Sequence, residues 1–150
     1  MTRRRREYLL DTNIIGSKVF GDARMLPSGQ HLSCVVYAEL MTAADPKEYR
    51  AYVETWKRAA EDGKLIVPHP DDWLMATRIL HLLAQERKKN AGGKSPSRTP
   101  AAKQELFADV LIAVSAARAG VIVVTDDGDF RAIKRFHKKL HIIGGGEFFA

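Results

Sequence analysis

Carboxylates recur in this chain where surface acids are not expected. Asp11 follows the apolar run Tyr8-Leu9-Leu10, and Asp126, Asp127 and Asp129 follow the β-prone run 121–125. Asp109 lies in Leu106-Phe107-Ala108-Asp109-Val110-Leu111-Ile112, a stretch apolar on nearly every helical face. Glu39 is flanked by Val35, Val36, Ala38, Leu40 and Met41. An ionised carboxylate in apolar surroundings needs a cation, a donor or a raised pKa. A convergent set of acids would hold one or two divalent ions. With no Cys or His in the set, the ligands are all oxygen, which suits Mg²⁺ or Mn²⁺ rather than zinc. Such a site suits phosphodiester cleavage, in which bound metal activates water and neutralises charge on phosphate oxygens. Thr12, Asn13, Ser33 and Thr125 stand beside the acids as neutral groups able to orient them.

Each acid also has an ordinary reading. Asp11 would serve as a helix N-cap, Asp126 and Asp129 as turn residues, Glu39 as an exposed helix acid, and Asp109 as the partner of a lysine or arginine. These readings do not explain why acids recur together at strand ends and in apolar helices. The histidines His31, His69, His81, His137 and His141 lack metal-binding spacing and read as solvent or packing residues.

The elements that must position these acids alternate. A short strand at 8–10 hands over to a helix capped by Asp11 or Thr12. A brief strand at 31–33 leads into a helix over 34–43 capped by Ser33. Asp45-Pro46-Lys47-Glu48 starts a helix that stops at Asp62-Gly63. A strand at 65–67 ends at Pro68, and Asp71 opens a helix to about 89, with Trp73, Ala76, Leu80, Leu83 and Ala84 at helical spacing. Gly and Pro make 90–101 a loop. A helix over 102–119 closes at Gly120, followed by a strand at 121–125, a short helix over 130–138 and a last strand at 141–143. Short apolar strands alternating with helices predict an α/β fold with a mainly parallel sheet and helices on both faces. Ligands of such folds bind beyond the carboxyl ends of the strands.

The chain has 150 residues, the length of one domain, and is expected to form a single domain over 1–150. Lys plus Arg number 24 against 18 acids, a net +6 that favours a polyanionic partner such as nucleic acid. Lys88, Lys89, Lys94, Arg98 and Lys103 lie in or beside the 90–101 loop. Lys94, Arg98 and Lys103 are candidate RNA-backbone contacts, against the plainer reading of a solvated linker. A single cysteine, Cys34, excludes an intramolecular disulfide, fits a reducing compartment and reads as a buried small side chain. No apolar h-region follows Arg3 to Arg6 and no apolar run is long enough for a membrane span, so the expected location is the cytoplasm.

Four segments resemble, in order, the motifs of the PIN domain, particularly the bacterial VapC-type toxins. Tyr8-Leu9-Leu10-Asp11-Thr12-Asn13 resembles the first strand with its Asp-Thr/Ser-Asn. Leu32-Ser33-Cys34-Val35-Val36-Tyr37-Ala38-Glu39-Leu40 resembles the second motif, Asp109-Val110-Leu111-Ile112-Ala113 the third, and Val123-Val124-Thr125-Asp126-Asp127-Gly128-Asp129-Phe130 the fourth. The resemblance implies a three-layer α/β/α sandwich with short, mainly parallel strands. It also implies a Mg²⁺- or Mn²⁺-dependent endoribonuclease, homodimeric and inhibited by a cognate antitoxin. It places Asp11, Glu39, Asp109 and Asp127 as the catalytic and metal-holding acids, with Asp129 a further ligand. Because Thr125 is followed by two acids, the register of the fourth ligand is open among Asp126, Asp127 and Asp129. Two other classes compete. A PIN-like module without catalysis would bind RNA or dock an antitoxin, but a groove built only to bind a polyanion favours bases over acids. An Asp-nucleophile phosphohydrolase needs a general acid two residues after Asp11, where this chain has Asn13.

Overall fold

The computed structural model describes residues 6–15, 30–92 and 98–149. Among the described residues five short strands carry the architecture: β1 (Tyr8–Leu10), β2 (Leu32–Ser33), β3 (Leu65–Ile66), β4 (Ile122–Val124) and β5 (Ile142–Ile143). Seven helices accompany them: α1 (Thr12–Ile15), α2 (Cys34–Ala43), α3 (Pro46–Glu61), α4 (Pro70–Asn90), α5 (Pro100–Ala119), α6 (Asp129–Phe136) and α7 (Gly145–Phe148). β1, β4 and β5 form one parallel sheet and β2 and β3 another. A parallel bridge between Leu9 and His31 joins the two, so the strands lie in the order β3, β2, β1, β4, β5. The chain moves outward from β1 through β2 to β3, then crosses to β4 on the other side of β1. In such sheets a reversal of strand order favours a crevice at the carboxyl ends of the strands that flank it, here β1 and β4.

Local chemistry explains the helix ends. The Ser33 hydroxyl accepts from the Val35 and Val36 N–H groups, and the Asp45 carboxylate from Glu48 N–H at 2.8 Å. Gly120 ends α5 with φ 72°, the left-handed conformation that favours glycine. Two helices start earlier than the sequence reading expects. α4 begins at Pro70, with Asp72 accepting from the His69 N–H at 2.8 Å. α5 begins at Pro100 behind a Thr99 cap, because a proline suits the first helical position rather than excluding the helix. β3 stops at Ile66, and the Val67 carbonyl instead accepts from Arg118 at 3.1 Å. β4 likewise spans 122–124 only, and α6 begins at Asp129 and ends at Phe136. α7 has no counterpart in the sequence reading.

The core lies on both faces of β1 and β4. Leu9, Val123, Val124, Ile112 and Ile133 are fully buried in it, each contributing about 1.5–3 kcal/mol of apolar burial. α5 runs through this core with every side chain from Val110 to Ala116 buried. α4 buries Ala76, Ile79 and Leu83, whereas Trp73 and Ala84 of its expected apolar stripe are exposed. Cys34 is half-buried rather than buried. Among the described residues no helix is long and apolar enough to cross a membrane.

Candidate active site

Asp11 stands one residue past β1, 3 % exposed, where its N–H continues the ladder to the Val124 carbonyl at 3.0 Å. Both of its carboxylate oxygens are engaged. Oδ1 accepts from the Thr12 N–H and Oδ2 from the Thr125 hydroxyl, each at 2.8 Å. Asp11 also caps α1, its carbonyl accepting from Ile14 and Ile15. Burial raises its pKa, with a further push from Asp127, against the two hydrogen bonds that favour the charged form.

Thr125 follows β4 and ties the crevice together. Its hydroxyl donates to Asp11 and accepts from the Asp127 N–H at 3.1 Å. The next turn separates three acids that the sequence leaves equivalent. Asp126 turns away and accepts from the Gly145 N–H at 2.9 Å, tying down the start of α7. A Cβ on Gly145 would sit 2.9 Å from both an Asp126 oxygen and an Ile14 methyl, so a larger residue there would displace one or both side chains. Asp127 accepts from the Asp129 N–H at 2.9 Å and faces the crevice with it.

Asp109 meets them from α5. Asp109, Asp127 and Asp129 each offer one carboxylate oxygen, all within 4.8 Å of one another. Burial pushes the Asp109 pKa up to about 8, helped by the charges of Asp11, Asp127, Glu39 and Asp129. Among the described residues no cationic side chain forms an ion pair with any of these acids. The group therefore has the donor chemistry and the unbalanced charge that a hard divalent cation fits. Asp11 and Glu39 lie outside this tight group, near enough for their charge to act on Asp109.

Glu39 differs from its expected setting. It is exposed at the rim of α2, because Val36 and Tyr37 take that helix's buried face. The Thr12 hydroxyl donates to it at 3.1 Å, and partial desolvation together with Asp11 and Glu105 raises its pKa. Asn13 is exposed, and Ser33 is used as the α2 cap. Of the expected RNA contacts, Lys94 lies outside the described residues, Lys103 is exposed on α5, and Arg98 is half-buried with its Nε unpartnered among the described residues. One residue escaped the sequence reading: Gly145, whose signal was the Gly144-Gly145-Gly146 run.

Fold and crevice together define an α/β/α sandwich of the PIN-domain type with an acidic site at its strand reversal. The chain resembles a chain of VapBC-5, a member of the VapBC family of toxin-antitoxin systems from Mycobacterium tuberculosis, at 22 % identity and TM-score 0.53, covering 93 % of this chain and 99 % of that one. It resembles FitAcB from Neisseria gonorrhoeae at 18 % identity and TM-score 0.54, covering 93 % and 98 %. VapBC-1 from nontypeable Haemophilus influenzae matches at 18 % identity and TM-score 0.51, with the same coverage. At these identities the likeness establishes the fold. No family model and no curated protein matches the chain.

Proposed function

We propose that this protein is a metal-dependent endoribonuclease, a single PIN-type domain that acts as the toxin of a type II toxin-antitoxin pair. The observation that carries the reading is the trio Asp109, Asp127 and Asp129, whose oxygens converge within 4.8 Å with no cationic partner among the described residues. The toxin-antitoxin structures that share the fold support the biological setting. In this reading the protein works in the cytoplasm as a homodimer, and a cognate antitoxin restrains it.

Asp109, Asp127 and Asp129 would hold Mg²⁺ or Mn²⁺, with Asp11 and Glu39 completing the acidic crevice. The bound ion would supply Lewis acidity at the phosphoryl oxygen and activation of the attacking water. The chain's own part is positioning. Thr125 and the Thr12 N–H fix both oxygens of Asp11, so that carboxylate reaches the reaction already oriented. The Thr12 hydroxyl orients Glu39 at the open rim, where substrate enters. Asp126 holds α7 in place rather than taking part in the reaction.

The test is end-mapping of products from total RNA incubated with the purified protein, with Mg²⁺ or Mn²⁺ and with EDTA. Discrete new ends that require the metal and vanish in Asp109→Asn are expected. Intact RNA under every metal condition would overturn the reading.

A further inference from the structure

The cations of α6 have different fates. The Arg135 guanidinium donates twice to Glu86, at 2.7 and 3.0 Å. Lys134 Nζ donates to the Leu140 carbonyl at 3.0 Å. Arg131 is exposed, and among the described residues its guanidinium has no hydrogen-bond or ion-pair partner. Arg131 and Lys134 line a cavity of about 400 Å³ at the carboxyl ends of β4 and β5. Three carboxylates, Asp126, Asp127 and Glu147, share the lining with these two cations, and Ile142 and Ile143 supply apolar surface.

A polyanion brought to a cluster of carboxylates is repelled unless fixed cations grip the phosphates beside the reacting one. An unpaired guanidinium is suited to that task, since its planar fork matches two phosphate oxygens. The cavity volume falls within the ~300–1,000 Å³ of small-ligand sites. Its cations and apolar surface suit the phosphate and flat base of a nucleotide, and its three carboxylates leave the grip on that phosphate to Arg131 and Lys134.

We propose that this cavity seats one nucleotide of single-stranded RNA beside the bond to be cut, with its phosphate gripped by Arg131 and supported by Lys134. The proposal rests on the RNA-cleavage reading of the acid cluster. It moves the principal backbone contact from the 90–101 segment to α6.

The test is fluorescence anisotropy with a short labelled single-stranded oligoribonucleotide in Ca²⁺, with gels verifying that the probe stays intact. Arg131→Gln should raise Kd about tenfold, the loss of one charge-assisted contact. It should also reduce the salt slope by about 0.7, as for one phosphate contact to a single strand. Arg131→Lys should restore the slope and only part of the affinity. Arg78→Gln, which removes the same charge from the exposed face of α4, should bind as the wild type does. Thermal melts check that each variant is folded. Wild-type Kd and slope in folded Arg131→Gln would overturn the proposal, as would an equal loss in Arg78→Gln. The two readings fail separately. If wild type binds, Arg131→Gln does not, and neither cuts with Mg²⁺ or Mn²⁺, the cavity is an RNA site and the cleavage reading falls. If wild type cuts and Arg131→Gln binds and cuts equally, the cavity falls and the cleavage reading stands.

Discussion

The two ends of the parallel sheet treat acidic side chains in opposite ways. At the amino end, Glu7 precedes β1 and accepts from Lys64 before β3 and from His31 before β2, both at 2.8 Å. Its hydrogen bonds to Lys64 and His31 hold its pKa below the ordinary value. At the carboxyl end, burial first and then the charges of four other acids push the Asp109 pKa up to about 8. One end is electrostatically complete and fastens three strands. The other carries negative charge that no cation among the described residues pairs. The two ends are separated by the length of a short strand, and Asp109 combines burial with unpaired negative charge where Glu7 is half-exposed and paired.

The most severe way to break the contrast is to neutralise the unbalanced end. Asp109→Asn is expected to lower the RNA cleavage rate by about 10³-fold or more, on the scale of losing a principal electrostatic element. Single-turnover kinetics with Mn²⁺ check it, and near-wild-type turnover would remove Asp109 from the chemistry. Thr125→Val should cost roughly 10–100-fold by releasing Asp11 Oδ2, with the fold preserved. A crystal structure of that variant should find the Asp11 carboxylate rotated.

Metal itself should sharpen the difference. At a hundred times its Kd, a bound ion stabilises by ~2.7 kcal/mol, or roughly 5–10 °C in Tm for a chain of this size. Calorimetry of Asp109→Asn should find most of that shift gone.

pH separates the ends by sign. Asp109 has a folded pKa above its unfolded value of 3.8, so the unfolded chain binds fewer protons than the fold between about pH 4 and pH 8. Metal-free protein should therefore lose stability as pH rises through that window. Asp109→Asn should flatten the loss, and denaturant melts across the range measure it. Glu7, with a lowered folded pKa, contributes stability above its unfolded value of 4.5 that disappears as pH falls further. The smallest effect belongs to Glu7→Gln. Its partly exposed pairs are worth about 0.2–1 kcal/mol each, and its loss should leave metal binding unchanged. A metal affinity altered by Glu7→Gln would mean that the two ends are not independent.

Much of this arrangement could be read from residue order. Apolar runs ending in acids marked β1 and β4, and Ser33, Asp45 and Gly120 marked helix ends through chemistry confined to a few neighbouring positions. Asp109 was conspicuous because it sits in the run 106–114, apolar on nearly every helical face. The starts at Pro70 and Pro100 were misread because a proline before a helix and a proline in a loop look alike until the cap is visible. Trp73 was misplaced because helical spacing identifies a stripe but not its edge.

The sequence by itself determined the alternation of strands and helices, the excess of positive charge and the identity of the acids available for a site. Those properties depend on residue type and short-range spacing. Only the tertiary structure distinguished Asp126 from Asp127, through a glycine 19 positions away, and oriented Asp11, through a hydroxyl 114 positions away. It alone left Glu39 at the rim and the Arg131 side chain without a partner among the described residues. A carboxylate's role is set by the atoms that reach it through space, and in a parallel sheet those atoms come from distant stretches of chain.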